Sequence, residues 1–258
     1  MRGRGQQSRP RSKFMNEMAG FYTKSTDPSW MRRHDGGPMD SMPINPPLWH
    51  KADFDFRTAY DVNTTNTWSE AAGGSGTGLA VQDGRGGVAK FTNGASDDNY
   101  YSYFSKYEVA KLASGKDLWF WTTITIADVS EADLFVGLCA KLGSGNLFDN
   151  RVDAVGFYMT DGDATLFCEC NKDGTPTQTT SAVDLSDGVE KFVGIHVKSN
   201  TKVQFYVGDA GNKPQLVTSM STNLPDDEEM TVAFGLRNGT GSANNMTISG
   251  IKCRMDVI

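Results

Sequence analysis

The sequence predicts an all-β protein, an antiparallel two-sheet jelly-roll sandwich with an extended N-terminal arm. Three observations indicate this fold class. Short runs of β-branched and aromatic residues recur along the chain, glycine is abundant at 28 of 258 residues, and turn signals separate the runs at intervals of about 8 to 12 residues. Because helices do not alternate with the strands, we expect hairpins and Greek-key returns as connections.

Residues 1–52 are interpreted as the arm and residues 53–258 as the sandwich domain. The arm begins with cations among Gly, Gln, Ser and Pro, a composition typical of disordered segments. It holds nine Lys or Arg and four Asp or Glu, a balance of +5, whereas the sandwich domain has a balance of −11. This asymmetry predicts that the arm contacts an acidic partner.

The run Leu118–Ile126 is predicted to be a central strand. Side chains alternate between the two faces of a strand, and both faces of this run are largely apolar or β-branched. A strand of this kind needs cover above and below, which is available in the middle of a sheet. Leu134–Ala140 is expected to be its hairpin partner, across the polar break at residues 128–133.

The remaining strands are predicted from short β-rich runs, several of which alternate apolar and polar residues. The pattern also indicates a Gly- and Ser-rich excursion at Trp68–Gly87, a helical turn at Glu108–Ala113, and a β-bulge at Gly250, where the apolar phase changes. The predicted strands are Phe54–Tyr60, Gly87–Thr92, Asp97–Phe104 (strand or loop), Asp153–Thr160, Thr165–Asn171, Thr175–Thr180, Lys191–Lys198, Lys202–Val207, Gln215–Ser219, Met230–Leu236 and Asn245–Met255.

The order of parts from Phe54 to Ile258 resembles the concanavalin-like, laminin-G-type jelly roll. The similarity lies in the residue pattern of segments such as Gly87–Phe91, Asp153–Phe157, Gly188–Lys198 and Met230–Leu236. Domains with this pattern and a short basic arm look like virion structural proteins of tailed bacteriophages, including capsid decoration (cement) proteins and head fibres. The resemblance implies a protein of the virion, on the capsid surface, that is synthesised in the host cytoplasm.

Several other classes of protein are not expected. No run of about 18 apolar residues occurs, so the sequence predicts no membrane-spanning helix. The charged N-terminus lacks the apolar core of an ordinary secretory signal. Cys139, Cys168, Cys170 and Cys253 are expected to be buried free thiols, because they lack zinc-knuckle spacing and because an i, i+2 disulfide within one strand is geometrically poor.

Two carboxylates match the beginning of a catalytic pattern. Glycoside hydrolases of this fold need two carboxylates across a cleft, and Glu131 and Asp133 begin their Glu-x-Asp-x-x-Glu pattern. Position 136 is Val, however, and both carboxylates fall in a predicted break between strands. His196 is expected to be a hydrogen-bonded structural residue, and no Ser–His–Asp or Cys–His set can be assembled. We therefore expect no enzyme, no catalytic residues and no cofactor.

Metal and phosphate sites are also not expected. Asp161 and Asp163 flank a glycine and could contribute to a calcium loop, but the further oxygen ligands of such a loop are missing. A plain hairpin turn is favoured there. Asp226–Glu229 is interpreted as a solvated acidic loop, and Gly84–Gly87 lacks the Gly-Lys-Ser/Thr and the helix of a phosphate loop.

The arm is expected to dock on a protein shell, with its cations paired to acidic groups and its aromatic residues in apolar grooves. Its prolines limit the entropy lost on ordering. Two alternatives are a tail without a role and salt-sensitive nucleic-acid binding, which the acidic body opposes. The expected docking residues are Arg2, Arg4, Arg9, Arg11, Lys13, Phe14, Phe21, Tyr22, Trp30, Arg32 and Arg33.

The leading hypothesis is a non-enzymatic virion protein that attaches through the arm to the major capsid protein, beside other copies of itself, and stabilises or decorates the shell. One alternative is a carbohydrate-binding, lectin-like adhesin module for a host-surface glycan, with Tyr100, Tyr101, Tyr103 and Trp119 exposed to stack on sugars. A further alternative is a glycoside hydrolase of concanavalin-like fold that uses Glu131. Neither a membrane nor a nucleic acid is an expected partner.

Overall fold

The computed structural model shows an antiparallel sandwich of two β-sheets, and its described residues contain no helix. The all-β two-sheet fold predicted from the sequence is confirmed. The chain divides into two compact units, residues 1–41 and 42–258, and every described residue belongs to the second. Those residues are 49–54 (backbone only), 62–82, 87–140, 145–149, 151–209, 212–226 and 228–256.

Sixteen strands occur in the described ranges. They are β1 (Trp49–Phe54), β2 (Trp68–Gly73), β3 (Gly76–Val81), β4 (Val88–Asn93), β5 (Tyr100–Ser105), β6 (Ala110–Lys111), β7 (Leu118–Ile126), β8 (Ala132–Ala140), β9 (Ala154–Thr160), β10 (Asp163–Lys172), β11 (Thr175–Asp184), β12 (Lys191–Lys198), β13 (Lys202–Asp209), β14 (Gln215–Met220), β15 (Glu229–Asn238) and β16 (Asn245–Asp256). None of the described residues forms a helix that is long and apolar enough to cross a membrane.

Each sheet has eight strands. Sheet A has the order β14-β13-β12-β7-β16-β4-β3, and β1 pairs with the part of β16 that follows the β4 pairing. Sheet B has the order β11-β10-β9-β8-β15-β5-β2, with β6 also paired to β15. Neighbouring strands in both sheets are antiparallel, and the crossovers between non-consecutive strands are typical of a jelly roll.

The strand β7 is central in sheet A, as its two apolar faces predict, but its expected hairpin with β8 is wrong. β7 pairs with β12 and β16, whereas β8 pairs with β9 and β15 in sheet B. The polar break between β7 and β8 carries the chain from one sheet to the other. Since each strand has two apolar faces, each takes a central position in its own sheet.

Two further local predictions are wrong. The Gly- and Ser-rich excursion contains β2 and β3, which pair with β5 and β4. The expected helical turn at Glu108–Ala113 contains the short strand β6 instead, and Val109 N donates to Met230 O at 2.8 Å beside it. In both places, pairing with a distant strand overrides the local composition.

The bulge at Gly250 is confirmed. The register between β16 and β7 shifts between Ser249 and Lys252, and Gly250 has a φ of 45°. This left-handed conformation suits glycine, because it has no Cβ to clash with the following carbonyl. The shift brings Ile248 and Ile251 onto the same inner face, so both join the apolar core.

The first strand begins earlier than the sequence indicated. β1 pairs Trp49 with Asp256 and Phe54 with Ile251, so residues 49–52 of the predicted arm belong to sheet A. Most of the predicted strand Phe54–Tyr60 lies outside the described residues. Residues 1–48, which include all eleven predicted docking residues, also lie outside them.

The core lies between the two sheets and is rich in aromatic rings. The Trp68 and Phe234 rings have centroids 5.0 Å apart, and those of Phe91 and Tyr103 are 5.2 Å apart. The four cysteines are buried free thiols, as predicted. Burial raises the pKa of the Cys139 thiol to about 12, so it stays protonated at neutral pH and behaves as a small apolar group.

Candidate functional site

The candidate site lies on the outer face of sheet B, which is formed by the alternate side chains that point away from the core. At its centre, Gly137 of β8 pairs with Gly156 of β9. The Phe135 ring lies over Gly156, where an added Cβ would be only 2.6 Å from the ring Cζ atom. The Arg151 guanidinium lies in turn over Phe135, 4.8 Å from the ring centroid. The Phe135 ring and the Arg151 guanidinium are therefore stacked, in that order, on the outer side of the glycine pair.

A buried ion pair fixes this centre. The Nε of Arg151 donates to Glu169 Oε1 at 2.9 Å, and its second terminal nitrogen donates to Oε2 at 3.2 Å. Gln178 Nε2 also donates to Oε2, at 2.7 Å. Glu169 is only 1% exposed. Burial removes a carboxylate from water, and bidentate pairing with further hydrogen bonds offsets the hydration that is lost.

The connection between β8 and β9 covers the middle of the face. Leu147 is fully buried and packs in a small apolar cluster with Phe104 and Phe135. Its backbone nitrogen donates to Ser102 Oγ at 3.3 Å, and its carbonyl accepts from Arg151 at 2.9 Å. The Leu147 side chain therefore occupies the centre of this face.

A second arginine binds the edge of the same connection. Arg237 donates to Asp133 at 2.6 Å and to Asp149 at 3.0 Å, and it lies 5.3 Å from the Phe148 ring centroid. Burial alone lowers the pKa of Arg237, but the hydrogen bond and charge of Asp133, with the charges of Asp149 and Asp98, raise it overall. The guanidinium is thus a fixed cation that ties β15 to the connection.

Beyond the covered centre, two aromatic rings remain accessible. Tyr158 of β9 and Phe167 of β10 stack with centroids 5.2 Å apart, and both side chains are half-buried. Thr180, exposed, follows Phe167 in the cross-strand row, and Gln178 is exposed one row away. We call these four residues the aromatic patch. Burial, reinforced by the charge of Glu169, raises the pKa of Tyr158 to about 12, so its hydroxyl is a neutral donor.

The predicted sugar-stacking residues are mostly in the wrong place. Tyr103 is fully buried and Tyr101 nearly so, because the alternation of β5 turns both rings into the core. Tyr103 OH accepts a hydrogen bond from Leu79 N at 2.9 Å. Trp119 is also buried. Tyr100 is half-buried and pairs across the strands with Arg237, so its contact with a glycan stays a prediction.

The residues that form the aromatic patch and its ion pair were missed. One signal was available for Glu169, which lies between Cys168 and Cys170 within a predicted strand. A charge that alternates with small buried residues faces the other side of the sheet and needs a partner there. No comparable signal marked Arg151, because it lies in an irregular connection.

The two candidate catalytic carboxylates, Glu131 and Asp133, differ in position. Glu131 precedes β8, whereas Asp133 lies within β8 and not in a break between strands, which corrects the sequence-based placement. Both oxygens of Asp133 are engaged, since Oδ2 accepts from Arg237 and Oδ1 accepts from Asp161 N at 3.0 Å. Asp133 is therefore bound into the ion-pair network of this face.

His196 is a hydrogen-bonded structural residue, as predicted. Its Nε2 lies 3.0 Å from Asp117 Oδ2, and its ring stacks on Trp119 with centroids 4.7 Å apart. Burial lowers the pKa of His196, against the opposing effect of the Asp117 hydrogen bond and charge. This pair lies on sheet A, away from the aromatic patch.

Two acidic groups bear on metal binding. Asp161 lies in the turn of the β9–β10 hairpin, as predicted, and Asp163 Oδ1 accepts from Thr165 N at 2.9 Å. Among the described residues, Asp153, Asp173 and Glu228 are the three carboxylates that could hold a cation, with one oxygen of each within 4.8 Å of the others. Oxygen ligands of this kind suit Ca²⁺, although Asp153 also accepts from Asp173 N.

Comparison with known proteins supports the fold. No protein-family model matches the chain, and no curated protein matches its sequence. A protein of unknown function from Shewanella oneidensis MR-1 is similar in structure, with a TM-score of 0.57 and 13% identity over 88% of this chain and 97% of the other.

Two carbohydrate-related proteins are also similar in structure. For an endo-1,3-β-glucanase from Streptomyces sioyaensis, the TM-score is 0.57, with 11% identity over 84% of this chain and 100% of the other. For peanut lectin, the TM-score is 0.56, with 10% identity over 81% of this chain and 98% of the other. The chain therefore has the concanavalin-like jelly-roll fold that the sequence predicted.

The buried ion pair allows a direct test. We expect Arg151→Met to lower the free energy of unfolding by about 3–5 kcal/mol, because it leaves the Glu169 carboxylate buried without its cation. Lys172→Met is the matched control, since it removes a cation from a pair with Asp226 that is partly exposed on both sides, and we expect a loss below about 1 kcal/mol. Urea denaturation measures both, and equal losses would contradict the account.

Proposed function

We propose that this chain is a non-catalytic carbohydrate-binding module whose ligand surface is the aromatic patch on sheet B. The observation that carries the proposal is the stacked Tyr158–Phe167 pair, which is accessible on a strand face and bordered by hydrogen-bonding groups. A sugar ring presents an apolar face and hydroxyls at its rim. Aromatic rings with a few placed polar groups match both features.

The carboxylates of this face favour binding over hydrolysis. Glycoside hydrolysis requires one carboxyl to give a proton and another to attack or to activate water. Both oxygens of Glu169 are held by Arg151 and Gln178, and both oxygens of Asp133 are held by Arg237 and a backbone amide. In this arrangement the two carboxylates hold the Arg151 and Arg237 guanidinium groups in place and stabilise the face on which a ligand would lie.

The structural neighbours are consistent with a carbohydrate ligand. They include a lectin and an endo-1,3-β-glucanase, so the fold hosts both binding and cleavage of carbohydrate. Function is set by the residues on a face and not by the fold. The aromatic patch supplies stacking and hydrogen bonds, and for this reason we assign binding.

Glycan binding is tested by an array screen followed by titration of the best oligosaccharide. We expect Tyr158→Ala and Phe167→Ala each to weaken binding about tenfold, which corresponds to about 1.4 kcal/mol of lost ring contact. Tyr107→Ala is the matched control, because Tyr107 is 74% exposed outside the patch, and its affinity should equal the wild type. The absence of binding to any glycan on the array would refute the proposal, and release of reducing sugar would show a hydrolase.

We further propose that the N-terminal arm attaches the protein to a phage capsid. The support is the charge balance of +5 in residues 1–52 against −11 in the remainder, together with β1, which fixes the point where the arm joins sheet A. The major capsid protein would take the cations and aromatic anchors of the arm, and neighbouring copies of the chain would decorate the shell.

Deletion of residues 2–33 tests this attachment by sedimentation with empty shells. We expect the bound fraction to fall at least about tenfold, since the deletion removes all the predicted anchors. Tyr158→Ala serves as the control and should sediment with shells as the wild type does. Binding that survives the deletion undiminished would refute docking by the arm without affecting the glycan proposal.

A further inference from the structure

The aromatic patch is bordered on one side by acidic side chains. Asp163, Thr165 and Phe167 alternate along β10 with residues that pack in the core, so all three point outward from sheet B. Asp184 of β11 lies opposite Thr165. Two residues along a strand span about 7 Å, so the row of Thr165 and Asp184 directly adjoins the patch. We call Asp163 and Asp184 the acidic border.

Thr165 holds both carboxylates of the acidic border in place. Its Oγ1 donates to Asp184 Oδ1 at 3.0 Å, and its backbone nitrogen donates to Asp163 Oδ1 at 2.9 Å. The backbone hydrogen bond lowers the pKa of Asp163 below its ordinary value, so this carboxylate is charged at neutral pH. Each carboxylate keeps its Oδ2 oxygen outside these hydrogen bonds, on the side where a ligand would approach.

The acidic border also lies close to the tyrosine of the patch. Asp163 pairs with Thr160, which is two residues after Tyr158 on the outer face of β9. Burial and the charge of Glu169 raise the pKa of Tyr158, and the charge of Asp163 adds to this rise. The Asp163 carboxylate is therefore within electrostatic reach of the Tyr158 hydroxyl, and one ligand can contact both groups.

The charges on this face do not balance. Arg151 is bound by Glu169, and Arg237 is bound by Asp133 and Asp149, so these two guanidinium groups are already neutralised. Within the described part of the chain, neither carboxylate of the acidic border has a Lys, Arg or His partner. The side of the patch toward the β9–β10 turn therefore carries uncompensated negative charge.

This charge discriminates among classes of sugar. A neutral sugar that covers the acidic border removes water from two carboxylates without supplying a countercharge, and an anionic sugar is repelled. A protonated amine supplies the countercharge and forms charge-assisted hydrogen bonds with carboxylates. It is also attracted to the face of an aromatic ring. A sugar with such an amine therefore matches the rings and the carboxylates together.

We propose that the ligand of the aromatic patch is an oligosaccharide of amino sugars with free, protonated amines. One sugar ring stacks on Tyr158 and Phe167, and an amine of the oligosaccharide donates to the remaining oxygens of Asp163 and Asp184. This assignment rests on the proposed carbohydrate binding and adds the class of sugar that is bound.

The test compares two glucosamine tetrasaccharides that differ only in their amines. Titration calorimetry measures the affinity of the full chain for the free-amine form and for the fully N-acetylated form. At low ionic strength we expect the free-amine form to bind at least about tenfold tighter, because it alone carries the countercharge. This advantage should disappear as the pH rises and the amines lose their protons.

Asp163→Asn and Asp184→Asn test the acidic border itself. Asn keeps an oxygen that accepts from Thr165, so the hairpin is retained while the charge is removed. We expect each variant to weaken binding of the free-amine form about threefold, and the double variant about tenfold, with no change for the acetylated form. Glu108→Gln is the matched control, since Glu108 is exposed beside β6, at the opposite end of β15 from Arg237, and its affinity should equal the wild type.

Equal affinities for the two tetrasaccharides, or an unchanged affinity in the double variant, would overturn the amino-sugar assignment. A tetralysine peptide that binds as tightly as the free-amine form would also overturn it, because the face would then recognise charge without sugar. Absence of binding by either tetrasaccharide would overturn it as well. In that case a glycan on the array whose binding depends on Tyr158 would leave the carbohydrate-binding proposal standing, whereas an array without binding would refute both.

Discussion

The structure depends on one constraint, which is that both faces of both central strands are apolar while each sheet has only one face toward the core. In β7, Leu118 and Phe120 face the core, and Trp119 and Trp121 face outward. In β8, Leu134 and Val136 face the core, whereas Phe135 and Cys139 face outward. Burial of apolar area drives the sandwich together, but it also requires cover on the two outer faces.

The two outer faces meet this requirement differently, and the difference separates structure from function. On sheet B, the connection after β8 inserts Leu147, and the Arg151–Glu169 pair binds that connection to the sheet. Tyr158 and Phe167 remain beyond it and form the proposed ligand surface. On sheet A, the outward side chains Trp119, Trp121 and Phe192 are buried. The outer face of sheet B is therefore available to a ligand, whereas these aromatic side chains of sheet A are shielded from water.

The sequence was sufficient to locate strands and a bulge, because their patterns are local. It was insufficient to identify strand partners that are distant along the chain. Alternation located β12, β13 and β15, and the phase change at Gly250 located a bulge. The partner of β7 could not be derived, because an apolar run that suits the middle of a sheet does not specify which distant strand lies beside it. Tyr101 and Tyr103 were misplaced because aromatic residues suit both a core and a binding face. Arg151 was missed since its role arises only when the β8–β9 connection folds back over Glu169.

Hydroxyl-radical footprinting of the intact chain tests the central claim most directly, because it reports the solvent access of individual side chains on both faces at once. On this account, we expect oxidation of Tyr158 and Phe167 at rates below that of the exposed Tyr107 but well above those of Trp119 and Trp121, which should be protected. Oxidation of both tryptophans at the rate of Tyr107 would contradict it, since the outer face of sheet A would then be open and the two faces of the sandwich would be alike.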